Sequence, residues 1–179
     1  MLWAHTDTEV HRLSYEDVLR MVETGVLRED DRVELVEGVL IDMTPPGADH
    51  SAIVSWLTRH FVAGAGEREV RVQDLLLIEG GFVMPDLMVI DPPPRGRHPS
   101  TAFLVVEVSV TTQRHDEWKA GRYAAAGVGE YWIVDVAART VRVHRRPRPG
   151  GYEQVAAFVD GDRIGEPAVD VSELLGPEA

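Results

Sequence analysis

No cysteine occurs in the 179 residues. That excludes disulfides and thiolate metal sites, so any bound metal must be held by carboxylates, histidines, carbonyls and water. Lysine is nearly absent as well: Lys119 stands alone against 17 arginines. The two cations are not interchangeable, because an ammonium is a compact point charge that can sit beside a water or an oxyanion, whereas a guanidinium is a planar fork. Also missing is any run of roughly 18 apolar residues of the kind that spans a membrane. The start, Met1 to Asp7, lacks a charged-then-apolar signal pattern, so a cytoplasmic location and no membrane partner are expected. Net positive charge is lacking too. At −12 the chain is poorly suited to broad nonspecific affinity for nucleic acid, which relies on counterion release by basic side chains. The one dense cationic stretch, Arg139, Arg142, His144, Arg145, Arg146 and Arg148, reads as a solvated hairpin.

What is present is a globular composition, 44% hydrophobic and 27% charged, in a length that suits one domain over residues 1–179. Ser14 followed by Asp17 predicts a capped helix that Gly25 ends. Residues 32–43 read as a hairpin or bent strand around Gly38, and Pro45-Pro46-Gly47 breaks it. His50, Ile53, Val54, Leu57 and Phe61 recur at helical spacing. Leu75 to Ile78 and Phe82 to Ile90 read as two strands joined at Gly80-Gly81. Ala102 to Val110 has the near-continuous apolar character of a central strand covered on both faces. Thr111 or Thr112 caps a helix that runs to about Ala126, strands follow at 131–134 and 140–143, and a last hairpin is expected at Asp160-Gly161. The order predicts an α/β or α+β domain around a mixed sheet.

Two carboxylates sit in apolar surroundings. Asp86 follows Pro85 at the head of an apolar strand, and Glu107 interrupts Val105, Val106 and Val108. An ionised carboxylate there is costly unless paired, hydrogen-bonded or bound to a cation. Glu107 could equally end a strand and reach solvent. Two such acids on neighbouring strands, with waters and a substrate oxygen, suit the octahedral demands of Mg²⁺. Asp116, Lys119 and Tyr123 share one helical face, which places the ammonium either beside that metal or in a surface pair with Asp116. His50 reads as a half-buried residue near a helix start, or as a ligand or substrate contact; Trp118 and Trp132 read as core or interface residues.

Glu34-Leu35-Val36-Glu37-Gly38, Pro45-Pro46 with His50, Pro85-Asp86, Val105-Val106-Glu107-Val108, then Asp116, Lys119, Tyr123, Ala124, Gly127-Val128 and Glu130 to Asp135 occur in an order that resembles the Uma2 family (DUF820), strongest over residues 14–145. The resemblance implies a PD-(D/E)XK, restriction-endonuclease-like mixed central sheet flanked by helices. It implies Asp86 and Glu107 as metal-binding acids, Lys119 as the lysine displaced from the strand to the following helix, and Glu34 as an additional acid. His50, Asp116 and Tyr123 would support them, with Mg²⁺ or Mn²⁺ as cofactor, DNA as partner and a homodimer as a possible assembly. Two positions depart from the pattern. Ser109 stands two after Glu107, so the E-x-K spacing is absent, and Lys119 follows Asp116 by three residues rather than four. The expected activity is hydrolysis of DNA phosphodiester bonds. The alternative, favoured by the acidic balance, is a catalytically silent binding or scaffold module on the same fold.

Overall fold

A computed structural model describes residues 10–109 and 113–177, without the side chains of 113–118. Thr111 and Thr112, the side chains of Asp116 and Trp118, and the first residues lie outside that description. Helix α1 (Tyr15–Glu23) starts on the expected capping box: Ser14 Oγ accepts from the Asp17 N–H, and the Asp17 carboxylate accepts from the Ser14 N–H. Strands β1 (Val33–Val36) and β2 (Val39–Asp42) form the hairpin around Gly38. Helix α2 (Ala48–Gly64) buries Ile53, Val54, Leu57 and Phe61, the apolar stripe of the sequence. Then come β3 (Glu69–Arg71), β4 (Leu76–Ile78), β5 (Gly81–Val83), β6 (Leu87–Ile90), β7 (Leu104–Ser109), α3 (Gln113–Ala125), β8 (Glu130–Asp135), β9 (Thr140–Arg148), β10 (Gly151–Phe158), β11 (Arg163–Ile164), β12 (Val169–Asp170) and α4 (Val171–Leu175).

Two principal sheets result. One has four strands in the order β2-β1-β5-β4, the other six in the order β10-β9-β8-β7-β6-β3. Within the larger sheet β7 and β8 are parallel and the other pairs antiparallel, so it is mixed. Every residue of β7 is buried, as its unbroken apolar run predicts. Val106 and Val108 pack toward α2, with Leu57, Phe61 and Trp132, while Val105 packs on the other side with Tyr123 and Tyr131.

The run from Phe82 to Ile90 is two strands rather than the expected one. Pro85 has no N–H to give a ladder, and at Met84-Pro85-Asp86 the chain leaves the small sheet and enters the large one. Asp160-Gly161 likewise does not close a hairpin: it joins β10, which pairs with β9, to β11, which pairs with β12. The cationic stretch is strand β9 and the turn before it rather than a solvated hairpin throughout, since His144 is buried; three of its arginines meet acids, Arg139 with Asp160 at 2.8 Å, Arg145 with Glu130 at 2.8 Å and Arg148 with Glu153 at 2.6 Å. Gly81 fits a close approach of β5 to its antiparallel neighbour β1; with φ at +153°, a Cβ there would lie 1.9 Å from the Leu35 carbonyl oxygen. No described helix is long and apolar enough to cross a membrane.

Candidate active site

The antiparallel register of β6 and β7 sets Leu87 against Val106, and Asp86, immediately before β6, lies near enough to Glu107 for its charge to act on that acid. Both acids are only 7% exposed. Asp86 is held by three donors: the Val108 N–H reaches Oδ2 at 2.9 Å, while His50 Nε2 at 2.9 Å and the Gln73 amide at 3.4 Å reach Oδ1. His50 gets there from the first turn of α2, and Gln73 from the loop between β3 and β4.

Glu107 is held from α3. Lys119 and Tyr123 lie four residues apart on one face of that helix. The Lys119 ammonium donates to Glu107 Oε1 at 3.0 Å and to Glu34 Oε1 at 2.9 Å, and the Tyr123 hydroxyl donates to Glu107 Oε1 at 2.7 Å. Glu34 projects from β1 and also accepts the Met84 N–H at 3.0 Å. Lys119 is therefore withdrawn from water between two acids, its side chain 12% exposed, rather than set in a surface pair. The Asp116 side chain lies outside the described residues.

The electrostatics follow from three carboxylates crowded at one end of the sheet. Burial, and then the neighbouring charges of Asp86 and Glu34, push Glu107 up to about 7 against the pull of Lys119. For Lys119 burial alone would lower the pKa, but Glu107 and Glu34 outweigh it and hold the ammonium above its ordinary value. The hydrogen bond to Asp86 raises His50, and burial raises Tyr123 well above an ordinary phenol. Among the described residues no three His, Asp or Glu side chains converge as a ready metal cage. The arrangement offers instead two neighbouring carboxylates, a fixed ammonium and a third acid behind it.

The sequence brings Asp86, Glu107, Lys119, Glu34, His50 and Tyr123 into view, and the fold holds them in two neighbouring groups, His50 on Asp86 and Lys119, Glu34 and Tyr123 around Glu107, which meet through the charges of the two acids. It leaves unseen Gln73 and Arg32, whose NH1 donates to Gln73 Oε1 at 3.0 Å. A lone glutamine in a loop carries no local signal, and its left-handed backbone (φ +49°) is not written in its residue type.

The chain belongs to the Uma2 family, described as "Putative restriction endonuclease", whose model matches residues 15–173. Its fold is similar to that in "Crystal structure of a putative nuclease belonging to DUF820 from Anabaena variabilis ATCC 29413", with a TM-score of 0.75 and 15% identity over 91% of this chain and 97% of that one. No curated protein matches the chain.

Proposed function

We propose that the chain is a divalent-metal-dependent endonuclease that hydrolyses DNA phosphodiester bonds. The observation that carries this reading is the Lys119 ammonium fixed beside Glu107, with the Asp86 carboxylate held on the N–H of the next residue, Val108. The family description and the fold shared with a nuclease point the same way.

The donor set fits a hard cation. Asp86 and Glu107 are oxygen ligands, and both described donors to Glu107 fall on Oε1. Burial above all, with the charges of Asp86 and Glu34, raises the Glu107 pKa, so a cation bound there would favour its ionised form. Two protein carboxylates completed by water and substrate oxygens suit Mg²⁺ or Mn²⁺ better than a closed zinc site. Such an ion, when bound, supplies Lewis acidity toward a phosphoryl oxygen and a water of lowered pKa. Lys119 stays protonated at neutral pH because its acids hold it so; it acts as an ammonium that orients the attacking water and stabilises developing negative charge, and not as a base. Glu34 fixes the ammonium from behind, and Tyr123 fixes the Glu107 carboxylate. Attack of the water oxygen forms a new bond to phosphorus as the bond to the leaving oxygen breaks, and one proton of that water passes through solvent to the leaving oxygen. A silent binding or scaffold module on this fold is favoured by the net charge of −12.

Incubating purified protein with plasmid and with single-stranded DNA in Mg²⁺, Mn²⁺ or EDTA separates the two. Cleavage is expected with metal only, and a loss of at least about 100-fold in Asp86→Asn and Glu107→Gln with melting behaviour retained. Cleavage that persists in EDTA or in both variants would reject the site, and no cleavage under any condition would favour the silent module.

A further inference from the structure

Arg32 and Glu34 stand two residues apart at the start of the four-stranded sheet, on one face of extended chain. Each reaches the six-stranded sheet through one intermediary. Glu34 meets Glu107 through Lys119, and Arg32 meets Asp86 through Gln73. The first bridge belongs to the proposed catalytic machinery; the second has had no work assigned to it.

Three features set the second bridge apart from a chance surface contact. Gln73 adopts a left-handed backbone, φ +49°, which crowds any residue with a Cβ. Its N–H donates to the Pro85 carbonyl at 3.1 Å and the Asp86 carbonyl at 3.3 Å, so backbone and side chain both grip the head of β6. Arg32 completes the set: its described hydrogen bond goes to an amide rather than an acid, and its Nε is buried without a partner. A guanidinium withdrawn from water is ordinarily matched by a carboxylate. Here the glutamine transmits that match. An amide has one acceptor end and one donor end, so turning Oε1 toward Arg32 turns Nε2 toward Asp86.

We infer that Arg32, acting through Gln73, is a positioning residue that fixes the Asp86 carboxylate. The inference rests on the reading of Asp86 as a metal ligand. Groups that orient a ligand from behind are typically worth about 10–100-fold in metal affinity.

The test uses the full chain and Mn²⁺ as probe. Calorimetric titration of wild type, Arg32→Met, Gln73→Met and the double variant should show about a tenfold loss in each single variant. The double should lose no more than either single, because the two act in series. Arg32→Lys, which can still donate to Oε1, should recover most of the affinity lost in Arg32→Met, and Gln73→Met carries the test if Arg32→Met does not fold. Losses that add, or singles that bind Mn²⁺ like wild type, overturn the inference. A metal-free arm measures urea stability in EDTA for Arg32→Met, Asp86→Asn and the pair. Coupling between Arg32 and Asp86 is expected with Gln73 present and should vanish in Gln73→Met. If that coupling is found while wild type neither binds Mn²⁺ nor cuts DNA, the catalytic reading falls and the relay stands. If no coupling is found, the relay falls whatever the protein cleaves.

Discussion

Lys119 is enclosed by the acids it neutralises, and that fixes what its loss should do. Lys119→Ala leaves Glu34 and Glu107 buried without their counter-charge, a change expected to cost about 3–5 kcal/mol at pH 8. The cost should shrink at pH 5, where Glu107 carries a proton. Turnover is expected to fall on the order of 100-fold while Mn²⁺ binding largely remains, and Lys119→Arg should not restore it, since a planar fork cannot occupy the point-charge position. Three equal turnover values would retire the role. Glu107 makes a separate prediction. Its folded pKa, raised to about 7 from 4.5, means the native protein keeps a proton that the unfolded chain has already released. Stability must therefore fall as pH rises from about 4.5 through about 7, by on the order of 3 kcal/mol from this group. His50, also raised, contributes in the same sense: its stabilisation is complete below 6.5 and lost as pH climbs through its folded value. Urea unfolding in EDTA from pH 4.5 to 8 should show this decline, and Glu107→Gln should flatten it. A wild-type stability that rises over the range would contradict the assignment.

At the scale of elements, the site exists because two sheets meet where the chain passes between them. Met84-Pro85-Asp86 links β5 to β6 and sets the Asp86 carboxylate on the Val108 N–H beside Glu107, while the small sheet brings Glu34, and Arg32 just before it, from the other side. The close β5–β1 pairing at Gly81 sets that approach. Gly81→Ala forces its Cβ into the Leu35 carbonyl and is expected to cost roughly 1–3 kcal/mol. It should also lower turnover through Glu34, measured beside melting; a variant with native stability and turnover would show that the pairing tolerates displacement. Much of this was legible in the sequence. The capping box at Ser14, the stripe of α2 and the apolar run of β7 are local signals, and Asp86, Glu107 and Lys119 stood out as charges in apolar or lysine-poor surroundings. The change of sheet at Pro85 was not legible, because residues on both sides are apolar and periodicity says nothing of which sheet they join. Arg32 and Gln73 escaped for the same reason, their partners being set by the meeting of the two sheets, 41 residues apart in the chain.

The whole molecule is acidic, and its densest cationic stretch is tied to Glu130, Glu153 and Asp160. Under the proposed function, affinity for DNA would come chiefly from the site rather than from a broad basic surface. Membership of the Uma2 family and the shared fold establish the scaffold; whether this chain uses it for hydrolysis turns on one ion. The most direct measurement is a calorimetric Mn²⁺ titration of the full chain at pH 8, for wild type, Asp86→Asn and Glu107→Gln. One ion per chain is expected in wild type, with affinity weakened by at least about tenfold in each variant while melting shows both folded. Mn²⁺ that binds equally well to all three, or to none, would contradict a metal centre at Asp86 and Glu107.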